Sequence, residues 1–126
     1  MNEPLPPETV VARQLDAYNA KDIDAWLATY SNSAVQYELA GKTLATGHAE
    51  IRMRTLPRFS EPNLHATLLK RSVMDKVVID HEVVTRNFPE GIGSIELVCV
   101  YVVENGLIQS ASFCFGKQVM QKVNSD

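Results

Sequence analysis

Residues 64–117 are written almost entirely in strand-forming segments, 64–74, 77–87, 94–104 and 107–117, rich in β-branched and aromatic residues and broken only by short turns. Strands joined by turns this short must pair antiparallel with their chain neighbours, because a parallel return needs a crossover of about a dozen residues. The second half of the chain is therefore a meander sheet, and its turns determine which side chains share a face. Asn105-Gly106 is the strongest of these turns, since both residues tolerate positive φ. It sets Glu104 opposite Leu107, and by simple counting Val98 opposite Phe113 and Glu96 opposite Phe115, on one face with Val100, Val102 and Ala111. Ile95, Leu97, Cys99, Tyr101, Ser110, Ser112 and Cys114 then occupy the other face. Around Asp75-Lys76 the same counting pairs Arg71 with Asp80, Leu69 with Glu82 and His65 with Arg86. A slip of one residue in either hairpin would invert these assignments.

The first half reads as helices. Pro6-Pro7-Glu8 opens a segment with Val11, Leu15 and Tyr18 at helical spacing. Asp22 is an N-cap for a second helix carrying Ile23, Trp26, Leu27 and Tyr30, an aromatic stripe of the kind that packs into a core. Residues 34–39 form a short strand, Gly41-Lys42 a turn into 43–45, and Gly47 caps a third helix with Ile51, Thr55 and Phe59 that Pro57 kinks or ends. The 126 residues make one domain, with its core at about 8–117. No apolar run approaches the roughly 20 residues of a membrane span. Residues 1–7 lack the basic start and apolar stretch of a secretory signal, so a cytoplasmic location is expected. Cys99 and Cys114 lie in strand-like segments away from metal-ligand spacing and are expected as free thiols. A net charge of −3 argues against nucleic-acid binding, and Arg52, Arg54 and Arg58 read as a solvated helix face.

Both faces of the sheet are apolar, while three helices cover only one. The convex face, including Leu97, Cys99 and Tyr101, is thus expected to form a homodimer interface, with an extended C-terminal segment as the competing cover. The concave face places His65, Arg71, Asp80, Glu82 and Glu96 among Val78, Val84, Val98, Val100, Phe113 and Phe115. Tyr18, Tyr30 and Phe59 complete the pocket lining from the helices. Ionisable groups in an apolar pocket can separate an acid from a base, since burial raises a carboxyl pKa and a nearby Arg lowers it. Arg71 and Asp80 also fit a plain cross-strand ion pair. By the same parity His81 faces the convex side beside Lys70, as an interface residue, and His48 is a first-turn helix residue. His65, Asp80 and Glu82 lack the spacing of a metal site, and no cofactor fingerprint is present, so neither metal nor cofactor is expected.

The succession Tyr18-Asn19-Ala20, Asp22-Ile23-Asp24-Ala25, Tyr30, Gly47 with Ile51, and the four-stranded finish through residues 101–108 resembles the nuclear-transport-factor-2-like superfamily, in particular its ketosteroid-isomerase-like and SnoaL-like members. The resemblance implies an α+β, cone-shaped domain, three N-terminal helices packed on a curved, mainly antiparallel sheet enclosing a pocket. Counted from Asp22 without gaps, the general-base carboxylate of the isomerases falls on Glu38 and a pocket tyrosine on Tyr30. Their oxyanion-hole tyrosine falls on Gln14, and the protonated aspartate that assists it on Val98, so steroid isomerisation through that oxyanion hole is not expected. Near the end of its strand, Glu38 also fits a solvated carboxylate. The Arg71, Asp80 and Glu82 group is similar to the water-activating acid–Arg–acid set of limonene-epoxide-hydrolase-like members. The expectation is a cofactor-free general acid–base enzyme for a small apolar oxygen-bearing substrate, an isomerase or cyclase, with Glu38 as base and Arg71, Asp80 and Glu82 as polar partners. The alternatives are epoxide-hydrolase-like water addition and a non-catalytic dimeric binding module.

Overall fold

Pro7 occupies the first position of helix α1 (Pro7–Asn19), where a missing N–H goes unnoticed, and Asp22 caps α2 (Ile23–Leu27) by accepting from the Ala25 N–H at 3.1 Å. The structure, a computed structural model, describes residues 3–122. Helix α2 stops at Leu27, so Tyr30 opens strand β1 (Tyr30–Glu38) instead of continuing a helical stripe. Its ring still packs on Trp26, at 4.8 Å between centroids. After β2 (Thr43–Thr46) the chain enters α3 (Gly47–Phe59) through Gly47 at φ 81, and the Glu50 carboxylate reaches back to the Thr46 N–H. Pro57 lies in the last turn, and the helix ends soon after it.

The four long strands are β3 (His65–Met74), β4 (Val77–Phe88), β5 (Gly91–Glu104) and β6 (Leu107–Met120). They join β1 and β2 in one open, mixed sheet of order β2-β1-β6-β5-β4-β3, in which β1 and β6 run parallel and every other pair antiparallel. The Asn19 side chain holds the end of α1 to β3 by bonding both the N–H and the C=O of Ala66. His48, in the first turn of α3, lies 2.8 Å from the Tyr30 carbonyl and ties that helix to β1.

Two bulges overturn the counted face assignments. Glu104 does stand opposite Leu107, but the register shifts between Val102 and Val103, where Gln109 is the extra residue on β6. Beyond it Cys99 pairs with Phe113 and Leu97 with Phe115, in place of Val98 and Glu96. The Gln109 amide stabilises the irregularity by donating to the carbonyls of Glu104 and Leu107. A second shift, at Leu69, pairs Glu82 with Leu68 and His65 with Thr85, while Arg71 keeps Asp80 because that pair lies between turn and bulge. Side chains alternate along a strand, so one extra residue exchanges inside and outside for everything beyond it.

Cys99 and Tyr101, expected on the convex face, are therefore buried under the helices, and Leu97 is drawn in beside them. Val98, Val100, Val102 and Glu96 look outward, and His65 is exposed on the outer side of β3. Cys99 is buried and Cys114 exposed, on opposite faces of the sheet, both as free thiols. Strand β6 continues beside β5 to Met120 and does not turn across the outer face.

Candidate functional site

Strand β4 alternates Val78, Asp80, Glu82 and Val84 toward the helices, and all four are buried. Two carboxyl groups in one buried row require compensation, since an isolated buried charge is costly. Arg71 supplies it for Asp80. Its Nε and Nη2 donate to the two Asp80 oxygens at 2.7 and 2.8 Å, and the Asp80 side chain has no exposed surface. Among the described residues Glu82 has no such partner, and its Oε2 is buried without a hydrogen bond. Burial, reinforced by the Asp80 charge and opposed by Arg71, raises its pKa from 4.5 to about 7.

Glu82 lines a cavity of about 70 Å³ between α1, α3 and the helix-facing side of the sheet. By the volume a water centre occupies, such a space admits a few waters or one small organic group. Its apolar wall is formed by Leu15, Trp26, Val84, Leu97, Phe113 and Phe115. Three tyrosines also reach it. Burial raises the Tyr18, Tyr30 and Tyr101 hydroxyls above their usual pKa, so each stays protonated and able to donate. Burial likewise pushes the Cys99 thiol well up, which removes it as a nucleophile. Gln36, almost without exposed surface, accepts from Arg54 Nη1 at 3.0 Å, and the Arg54 guanidinium lies 5.6 Å from the centre of the Phe113 ring. Gln14 Oε1 and Trp26 Nε1 are buried without partners at the same cavity.

Several expected residues lie elsewhere. Glu38 sits at the end of β1 with its side chain 46% exposed, folded over Gly41 and 4.0 Å from Lys42 Nζ, outside the cavity. Phe59 packs behind the lining, edge-on to Tyr18 and Trp26. His65, Glu96 and Val98 are on the outer face, and His81 Nε2 contacts Glu96 Oε2 there at 2.6 Å. Of the acid–Arg–acid group, Glu82 alone lines the cavity, while Arg71 and Asp80 occupy one another beside it. Tyr18, Tyr30, Phe113 and Phe115 are where they were expected. Arg54, Arg58, Gln36 and Tyr101 join the site unforeseen. A signal existed for the arginines: both fall within one turn of Ile51, Thr55 and Phe59, the buried stripe of α3. Among the described residues no three His, Cys, Asp or Glu side chains converge as metal ligands, and no helix is long and apolar enough to cross a membrane.

Three helices over an open mixed sheet have the nuclear-transport-factor-2-like α+β fold, and a buried acid faces the apolar cavity between them. Residues 11–111 match the SnoaL-like domain, and the chain belongs to that family. Among solved structures, an uncharacterized cystatin-fold protein from Novosphingobium aromaticivorans is similar at 22% identity, covering 87% of this chain and 98% of that one, with a TM-score of 0.80. A hypothetical protein with a ketosteroid-isomerase-like fold from Catenulispora acidiphila, in complex with trimethylamine, shares 16% identity over 85% of each chain, with a TM-score of 0.70. An LEH-like epoxide hydrolase of M. tuberculosis shares 13% identity, covering 86% of this chain and 81% of that one, with a TM-score of 0.75. At these identities the similarity concerns the fold. Comparison with curated proteins gives no match.

Proposed function

We propose that this protein is a cofactor-free general acid–base catalyst acting on a small, largely apolar, oxygen-bearing molecule, with Glu82 as the group that carries the proton. The observation that supports this is the Glu82 carboxyl itself, buried in an apolar cavity with one oxygen unpartnered. A pKa of about 7 leaves such a group present in both protonation states at neutral pH, the condition under which one carboxyl can remove a proton and return it. In an isomerisation, the carboxylate would take a proton from the carbon beside a carbonyl and the resulting acid would deliver it to a second carbon of the same substrate. Charge growing on the carbonyl oxygen would be met by the protonated Tyr18 or Tyr30 hydroxyl. Glu38, placed on the surface, has no part in this reading.

Water addition to an epoxide is the second reading, favoured by the acid–Arg–acid grouping of Asp80, Arg71 and Glu82. There the Glu82 carboxylate would take a proton from the attacking water, and Arg71–Asp80 would tune the Glu82 carboxyl. The opening epoxide oxygen would take a proton from the Tyr18 or Tyr30 hydroxyl, which the Glu82 acid then restores. A second copy of the chain seated on the outer sheet face, rather than on the Leu97–Tyr101 side, forms part of the same proposal. The test is turnover of a panel of small ketones, enones and epoxides by the wild type and Glu82→Gln. A catalyst of this kind loses at least about a hundredfold in rate with the amide, the scale of general acid–base catalysis, and its pH profile turns near 7. Unchanged turnover in Glu82→Gln would remove Glu82 from the chemistry. Binding without any turnover would leave a ligand-binding module.

A further inference from the structure

Positive charge at this pocket is only partly answered by carboxylates. Arg54 and Arg58 stand one turn apart on α3 and both line the cavity. Among the described residues no carboxylate lies within 4.0 Å of Arg54, whose hydrogen-bond partner is the neutral Gln36 amide. Arg58 has one acidic neighbour, Glu61, with 3.6 Å between Nε and Oε2. That carboxylate is already engaged by Arg86, at 2.9 and 2.7 Å, and by the Asn87 N–H. Among the described residues Glu82 is the one acid lining the cavity, and the charged groups that act on it, Asp80 and Arg71, pair with each other.

A half-buried guanidinium without a counter-charge is costly. Burial, and then the charge of Arg58, lower the pKa of Arg54, as expected for two cations crowded at one wall. Position near the C-terminal end of α3 explains part of this for Arg58, since the helix dipole favours cations in a last turn. It does not explain Arg54, which lies a turn further in with its guanidinium over Phe113. A planar guanidinium is the side chain best matched to a carboxylate. The stacked Phe113 and Phe115 rings, 6.1 Å apart, provide an apolar surface beside it. The Tyr30 hydroxyl feels both Glu82 and Arg54, and the Tyr18 hydroxyl both Arg58 and Glu82, so the cationic wall and the acid face a common space.

We infer that the ligand of this pocket is a small monocarboxylic acid, its carboxylate held by Arg54 and Arg58 and its apolar body extending over Phe113 toward Glu82. This rests on the reading of the cavity as the substrate site proposed above, but not on Glu82 doing the chemistry. The experiment is an NMR titration with crotonate and with its uncharged isostere crotonamide, at low and at raised salt. Crotonate is expected to bind at least about tenfold more tightly than crotonamide, with the difference shrinking as salt screens the charge. In Arg54→Gln and Arg58→Gln, each confirmed folded by thermal melting, the ratio should fall toward one, and Arg54→Lys should retain part of it. Equal affinity for the two probes, no crotonate binding at its highest usable concentration, or a preference that survives both glutamine variants would overturn the inference. Glu82→Gln separates the two ideas. If turnover is indifferent to that change while the carboxylate preference holds, the catalytic reading fails alone; if turnover depends on Glu82 and no preference exists, this inference fails alone.

Discussion

Glu82 and Asp80 show how two carboxyls on one strand acquire different characters. Asp80 has both oxygens bonded to Arg71 and can remain charged in the core, whereas Glu82 has burial without a partner. Because the folded-state pKa of Glu82 is raised from 4.5 to about 7, the native protein holds a proton that the unfolded chain releases across that interval. Stability from this group is thus fully present below about 4.5, declines as pH rises toward 7, and is level above it. Glu82→Gln should flatten that slope, which urea unfolding between those pH values would measure as a difference of a few kcal/mol, of order 3. Arg71→Met should act in the opposite sense. Stranding the Asp80 charge costs about 3–5 kcal/mol in the same assay and lifts the Glu82 pKa above its wild-type value, readable by carbon-13 NMR. The Arg71–Asp80 pairing was legible in the sequence because it lies within a few residues of its turn. The isolation of Glu82 was not, because it depends on what fails to approach from other elements.

At the scale of elements, turn chemistry and strand-rich composition located all four long strands, and Asn105-Gly106 does join β5 to β6 with Glu104 opposite Leu107. The ladder of that hairpin is not regular along its whole length. Gln109 adds one residue to β6, and this sets Ala111 and Phe113 on the same buried face as Tyr101 and Cys99 instead of with Val98. No composition signal marks Gln109, since its amide caps carbonyls that exist in that geometry only once the bulge has formed. Deleting Gln109 should therefore cost little more than Gln109→Ala, because it is the one residue by which β6 exceeds its partner at this point. The alanine variant loses side-chain hydrogen bonds worth about 1 kcal/mol, and the deletion loses the same bonds while a regular ladder still sets Ala111 opposite Tyr101 and Phe113 opposite Cys99. Chemical denaturation should show a modest shift and one cooperative transition for both, and loss of the transition in the deletion would mean that the bulge itself holds the sheet to the helices.

For the molecule as a whole, the helices cover one face of the sheet and leave the other with a row of apolar side chains, among them Ile79 at 40% exposure and the outward Val98, Val100 and Val102. The proposed second copy on that face predicts a sedimentation-equilibrium mass twice that of the chain, reduced to the single-chain mass by Ile79→Lys. A wild-type monomer would end that proposal. Local spacing, caps and turns act over a few residues, so the sequence by itself determined the succession of helices and strands, the hairpin connections and the family resemblance. The tertiary structure decided which face of β5 looks inward, that Glu38 is solvated while Glu82 is buried, and that Arg54 lines the pocket with no carboxylate paired to it among the described residues. The reason is physical: a single bulge inverts a period of two, and burial and charge balance depend on elements that meet only when the chain has folded.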